Sequence, residues 1–332
     1  IMTEHRVDTM SGPVAVADLG RVLVHEHIFT FNFEYTFNYR PDFFQPSTID
    51  RAVAELDALK AAGFDTIIDL TVLGLGRYMP GLVEVAARTK LNIILATGAY
   101  TLNEVPTPFA MYGPGLMCDA PEPMIEHFVR DITQGIAGTG IKAGELKCAI
   151  DKPGLTSGVE RVMRAVGQAH RETGVPITVH TDADSHSGLI AQRVLAEEGV
   201  DLEDVIIGHC GDTDDIDYLM KLADAGSLLG MDRCGIHLRL GLADKVRTII
   251  EMVKRGYVDH LTISHDCFVF CDQFPQGEPR NSILPDHDFL HISNHLVPAL
   301  REAGVSEAQL DRMMIDNPRR HFERAAQRFS RR

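Results

Sequence analysis

Residues Arg21–Ile28 read RVLVHEHI, and this stretch decides between two parallel-sheet folds. Val22–Val24 is a short apolar run rich in β-branched residues, as expected of a strand buried on both faces. His25 and His27 follow at its end, two residues apart, and a strand points such a pair to one side. A doubly wound open sheet would carry a Gly-rich phosphate turn here. The run ends in His-Glu-His with no GxGxxG. A closed barrel, whose strand ends open on one active-site face, accounts for it better.

Seven further runs extend the pattern: Asp65–Thr71 (DTIIDLT), Leu91–Tyr100 (LNIILATGAY), Glu145–Ile150 (ELKCAI), Pro176–Thr181 (PITVHT), Asp204–His209 (DVIIGH), Gly226–Asp232 (GSLLGMD) and His260–Asp266 (HLTISHD). Helical patterns lie between them, at Thr48–Ala62, Gly158–Glu172, Leu189–Glu198 and Thr213–Ala225. Glycines Gly63, Gly174, Gly199 and Gly226 stand at or just past their ends. Strand, helix, glycine, strand is the rhythm of βαβ units. Residues 1–332 therefore read as one α/β domain, a (β/α)8 TIM barrel. Phe29–Pro46, Leu102–Pro123 and Cys267–Asp286 read as irregular loops on the active-site face. A hairpin is expected at Val7–Val16 and a helix at Ser306–Arg328.

Lys and Arg number 32 against 47 Asp and Glu, a formal charge of −15. Such a surface repels phosphate backbones and anionic lipid, which argues against nucleic-acid or membrane partners. The six cysteines form no CxxC pair, and several sit in apolar runs as small core residues, so a reducing cytoplasm is expected. Ile1–Met10 is too polar for a signal peptide, and Ile1 ahead of Met2 reads as a processing scar. No apolar run approaches the ~20 residues that span a bilayer.

The histidine pair alone is weak evidence, since two barrel-interior histidines with hydrogen-bond partners would look the same. The pattern recurs, however. His180 ends ITVH, His209 ends IIGH and Asp266 ends ISHD, each at a strand end where a barrel collects its reactive groups. Imidazole and carboxylate donors suit zinc, iron, cobalt or manganese. Lys147 lies mid-strand in GELKCAID, where a buried ammonium is costly. Three readings follow: an interior pair with Glu145, a metal-bridging Glu145, or a Lys147 carbamate that bridges two cations.

The runs LVHEHI, GIKAGELKCA, ITVHT, IIGHCGDTDD, LGMDRCG and ISHD, with DNPRRHFE at Asp316–Glu323, resemble the phosphotriesterase family of the amidohydrolase superfamily. Within it they look most like the phosphotriesterase-like lactonases, from Val7 to Phe322. The resemblance implies a buried metal on His25, His27 and Asp266 and a more exposed one on His180 and His209. Carbamylated Lys147 and a hydroxide would bridge them. Zinc is the leading choice, with cobalt, iron or manganese as alternatives. Tyr100 matches a tyrosine lying over the metals, and Arg233 an arginine that lactonases carry where organophosphate specialists have histidine. Asp266 would also take the water proton and return it to the leaving alkoxide.

The implied activity is hydrolysis of N-acyl homoserine lactones and related lactones (quorum quenching), with weak phosphotriesterase activity. A dedicated phosphotriesterase, another ester or amide hydrolase, and a non-catalytic metal-binding barrel are the alternatives. Asp212 and Asp232 are expected to join Asp266 in one network. Phe268, Phe270 and Phe274 are expected to receive an acyl chain. A homodimer is implied by the family alone.

Overall fold

The computed structural model describes residues 5–330. The expectations for Ile1 and the first four positions of the polar start lie outside the described residues. Eight parallel strands form one sheet: β1 (Val22–Glu26), β2 (Thr66–Asp69), β3 (Asn92–Gly98), β4 (Glu145–Ala149), β5 (Ile177–His180), β6 (Val205–Ile207), β7 (Leu228–Met231) and β8 (Leu261–Ile263). Each pairs with its neighbour in chain order. The edges meet beyond the ladder, where the Asp266 amide donates to the His25 carbonyl (3.0 Å) and the His27 amide to the Cys267 carbonyl (2.8 Å). The sheet thereby closes into the expected barrel.

Helices α1 (Pro46–Ala61), α2 (Met79–Arg88), α3 (Pro123–Thr133), α4 (Ser157–Thr173), α5 (Ser187–Glu197), α6 (Ile216–Asp224) and α7 (Leu242–Lys254) follow strands one to seven. Leu23, Ile67, Ile93, Leu146, Ile177 and Leu229 pack in the larger core with residues of these helices. The alternate residues Val22, Val24, Ile68, Ile94, Ala96, Ile206 and Leu228 fill the barrel interior. Val7, from the hairpin Arg6–Thr9/Gly12–Ala15, and Phe322 join that interior cluster. No helix among the described residues is long and apolar enough to cross a membrane.

Three expectations need correction. The strands are shorter than the apolar runs: β6 stops at Ile207 and β8 at Ile263, and the chain then turns through His209 and Asp266, whose φ values of 62° and 55° are left-handed. The helix expected at Ser306–Arg328 is interrupted. Glu307–Asp311 passes through a π-helical segment, Arg312–Asp316, into Asn317–Phe329. Pro318 lacks an amide hydrogen and its ring crowds the preceding turn, and the widened turn accommodates both. Lastly, Phe29–Pro46 is not wholly irregular, since it holds the short helix Phe33–Tyr39, capped by the Asn32 side chain.

Candidate metal centre and active site

β1 delivers the first two histidines. Its pairing with β2 shifts register between Leu23 and Glu26, so the pleat breaks where His25 begins the site. Gly208 makes room beside it. A Cβ there would stand 2.8 Å from the Val179 carbonyl and 3.3 Å from His25 Nδ1. His180 continues the inward alternation of β5 after Thr178, whereas His209 reaches the site through its left-handed backbone.

The four imidazoles share one arrangement, with one ring nitrogen facing an oxygen and the other facing the barrel mouth. His27 Nδ1 lies 2.8 Å from Thr71 Oγ1. His25 Nδ1 lies 3.2 Å from Asp232 Oδ2. His209 Nδ1 is 2.8 Å from Asp232 Oδ1 and His180 Nε2 is 2.6 Å from Asp151 Oδ2. For His27, His180 and His209 those oxygens hold the ring proton outward and leave a lone pair on the inward nitrogen, whereas His25 Nδ1 faces Asp232 without a hydrogen bond. Burial lowers the pKa of His25 to about 4, lowers that of His180, and sets His209 well below its ordinary value. All three are therefore neutral at pH 7.

His180 Nδ1 and His209 Nε2 then face each other at 2.8 Å with no proton to share. His25 Nε2 and His27 Nε2 lie 3.6 and 3.3 Å from Asp266 Oδ1. Paired lone pairs and a carboxylate, buried together, are a donor set that a divalent cation satisfies and hydrogen bonds do not. His25, His27 and Asp266 offer ligand atoms within 4.8 Å of one another, as do His25, His209 and Asp232. In the second group Asp232 already receives His209 Nδ1 and the His209 amide (2.9 Å), so it supports the ligands rather than joining them. The residues thus fit two neighbouring divalent ions.

Lys147 reaches the same point, with Nζ 3.1 Å from His25 Nε2. Burial lowers its pKa to about 8, against the opposing pull of Asp266 and Asp232. Glu145 is not its partner and is no bridging carboxylate. It lies one layer deeper, accepting from Thr178 Oγ1 (2.8 Å) and lying 3.0 Å from His321 Nε2.

Burial pushes the Asp266 carboxyl up, but His25, His27, His209 and Arg233 outweigh it and hold the group anionic, well below the usual range. Arg233 Nε donates to Asp266 Oδ2 (3.1 Å) and an Nη to Asp212 Oδ2 (2.7 Å). The expected acidic network therefore exists through intervening groups: the Arg233 cation links Asp212 to Asp266, and the neutral His25 ring stands between Asp232 and Asp266. Lys245, buried, braces Asp212 at 3.4 Å and donates to the Gly211 carbonyl.

Glu26, the middle residue of His-Glu-His, went unread in the sequence. Its buried carboxylate accepts the amides of His265 (2.8 Å) and Cys267 (2.9 Å), on either side of Asp266. Asp69, Thr71 and Asp151 were missed likewise. Asp69 accepts the amides of Ile28 and Thr71 and so holds the hydroxyl that faces His27.

A cavity of about 520 Å³ opens from these groups. Tyr100 lines it, its ring edge-on to His180 at 5.2 Å between centroids. Burial, then Asp151 and Asp266, raises the Tyr100 pKa to about 12, so its hydroxyl stays protonated. Leu75, Ile236, Leu238, Phe268, Phe274 and Leu284 form the apolar wall. Phe270, expected there too, points away. Its two-residue ribbon with Phe29–Thr30 turns it into the aromatic packing of Phe43, 4.8 Å between ring centroids.

Known proteins resemble the chain over nearly its whole length. The phosphotriesterase family profile matches residues 5–322. The phosphotriesterase homology protein of Mycobacterium tuberculosis is 51% identical, covering 96% of this chain and 98% of the relative. The aryldialkylphosphatase of Saccharolobus solfataricus is 36% identical over 92% and 95% of the two chains. The N-acetyltaurine hydrolase of Xenopus tropicalis is 25% identical over 95% and 97%. The solved structure of the Mycobacterium tuberculosis phosphotriesterase superposes with a TM-score of 0.93, covering 96% of this chain and 98% of that one. With its barrel, its four inward histidines and its strand-eight aspartate, the chain belongs to the phosphotriesterase family of metal-dependent hydrolases.

Proposed function

We propose that the protein is a binuclear metallolactonase acting on N-acyl homoserine lactones and related lactones, with phosphotriester cleavage as a side activity. The observation that carries this is the cavity. It sets apolar side chains, among them Leu75, Ile236, Leu238, Phe268, Phe274 and Leu284, beside Tyr100, Arg233 and His25, His27 and His180 in one cavity. A neutral lactone with an apolar tail matches that lining. His25, His27 and Asp266 would hold one cation and His180 and His209 the other, and the pair would supply Lewis-acid activation of water and of the scissile carbonyl.

The remaining chemistry belongs to side chains. The lowered pKa of Lys147 makes its neutral amine available to add carbon dioxide, giving a carbamate and releasing one proton. The product is an anion suited to a site between two cations. Tyr100, protonated, donates to the carbonyl oxygen as it gains charge. Asp266 accepts the proton of the attacking water and returns it to the leaving alkoxide, while Arg233 keeps its second oxygen in place. Ring opening gives a hydroxy acid.

A second reading, phosphotriester hydrolysis as the main activity, is favoured by the 36% identity to an aryldialkylphosphatase. One experiment separates them: turnover of long-chain N-acyl homoserine lactones and dialkyl aryl phosphates, before and after chelation and zinc or cobalt refill. Metal-dependent lactone turnover that exceeds phosphotriester turnover is expected. The reverse ranking overturns the lactonase assignment and keeps the site. A cytoplasmic location belongs to the same proposal, supported by six free thiols. So does a homodimer, supported by the exposed Phe33, Tyr35, Phe37, Tyr39 and Phe44. Sedimentation should find twice the chain mass, and a monomer at assay concentration would reject it.

A further inference from the structure

The segment after β8 is a wall between two cavities. On one side Phe268, Cys271, Gln273 and Phe274 line the catalytic cavity. On the other lies a cavity of about 380 Å³, bounded by the same Phe268, Cys271 and Phe274 and by Arg40, Arg51 and Arg280. Only Phe270–Cys271 of this wall belongs to a strand. Its backbone carbonyls therefore need partners from elsewhere.

Three arginines supply them. Arg40 donates from one Nη to the carbonyls of Asp272 (3.0 Å) and Phe274 (2.7 Å). Arg51 donates to the Val269 carbonyl (2.5 Å), and Arg280 to that of Phe268. Carboxylates anchor the arginines from behind. Asp42 grips Arg40 with both oxygens (2.9 and 2.8 Å). Glu55 accepts from both Nη atoms of Arg280 at 3.2 Å, and lies 3.9 Å from Arg51 Nε. Asp42 and Glu55 belong to the segment running from the β1 loop into α1.

We propose that Arg40, Arg51 and Arg280 are positioning residues that set the depth of the substrate cavity by clamping the β8 wall from its back. A guanidinium suits this role because its rigid fork serves a carbonyl and a carboxylate together and is always charged. The space behind the wall is what makes a clamp necessary. With the clamp released, Phe268 and Phe274 have somewhere to retreat, so the apolar contact offered to a long substrate tail loosens. The three arginines hydrogen-bond none of His25, His27, His180, His209 and Asp266, where the reactive end of the substrate would lie. The proposal rests on the cavity being the substrate cavity of a hydrolase, not on lactones as such.

The test compares Arg51→Met and Arg280→Met with the unaltered holoenzyme on two lactones differing only in acyl length. The expected result is a KM for the long substrate raised about tenfold, with the short substrate and bound metal changed less than about twofold. Arg51→Lys should restore part of the preference, since one donor to Val269 is regained. An equal loss on both substrates, or no change on either, overturns the clamp. Should the methionine variants fail to fold, Glu55→Gln, which frees Arg280 without removing a donor, is read the same way. Should lactones not be turned over, dialkyl aryl phosphates of two alkyl lengths give the same comparison. That outcome rejects the lactonase reading while still deciding the clamp.

Discussion

At the scale of single residues, each imidazole is divided between two roles, with one nitrogen turned outward to an oxygen and one turned inward to the barrel mouth. Asp266 is surrounded by the positive or polar edges of His25, His27 and Arg233, which keeps it an acceptor despite burial. Replacing it with asparagine keeps the shape and removes the base. Asp266→Asn should lower kcat by about 10²–10⁴-fold. Turnover within a factor of a few of wild type, in protein assayed for full metal content, would remove Asp266 from the proton path. Asp151 acts one step further out, through His180. Asp151→Asn should weaken the metal at His180 and His209 by roughly 10–100-fold, read by competition with a chelator, while the other ion stays. Equal loss of both ions would contradict this division of the site.

At the scale of elements, the site is built by strand ends that stop being strands. His209, Arg233 and Asp266 all take left-handed φ values, 62°, 56° and 55°. A non-glycine residue in that region costs on the order of 1 kcal/mol. That strain is held by bonds from neighbouring strands: Asp232 receives the His209 amide, and Glu26 receives the amides flanking Asp266. The short β6 also depends on Gly208. Gly208→Ala would set a methyl against the Val179 carbonyl and His25. A loss of about 1–3 kcal/mol in unfolding free energy is expected, with displacement of the metal on His25. An alanine variant of unchanged stability and metal content would show that the strand end yields more easily than its backbone contacts imply.

At the scale of the molecule, burial of many histidines makes the fold sensitive to acid. His287 is an example outside the metal centre. It packs against Phe268 at 4.6 Å between ring centroids, and neither ring nitrogen reaches a partner among the described residues. Burial lowers its pKa to about 3 from an ordinary 6.5. Between those values the unfolded chain binds the proton and the folded chain does not. Its contribution is therefore complete above pH 6.5 and is lost as pH falls toward 3, at about 1.4 kcal/mol per pH unit. His287→Phe should flatten the acid limb of a urea-midpoint profile by about that slope. Identical profiles below pH 6 would mean that His287 is not kept neutral by the fold.

Much of the fold was legible because a buried parallel strand leaves a local signature: a short apolar run, then a helix, then a glycine. The five strand-end candidates His25, His27, His180, His209 and Asp266 were legible for the same reason, since a barrel gathers whatever stands at those ends. Lys147 was conspicuous as a cation in an apolar strand, although its choice over Glu145 leaned on family resemblance. The roles of Glu26, Asp69, Thr71 and Asp151 were not legible. Each acts through a partner far along the chain or on another strand, as Glu26 does on residues 239 and 241 positions away. Nor were the left-handed turns at His209 and Asp266, since histidine and aspartate tolerate that region without requiring it and tertiary bonds hold them there. The inward face of Phe274 and the outward face of Phe270 differ for a like reason, a two-residue ribbon formed with Phe29–Thr30. Periodicity along the chain therefore determined the barrel and its candidate ligands. Closure of the barrel decided the proton partners, the strained backbones and the shape of the cavity, because those depend on groups that meet only after the strands have come together.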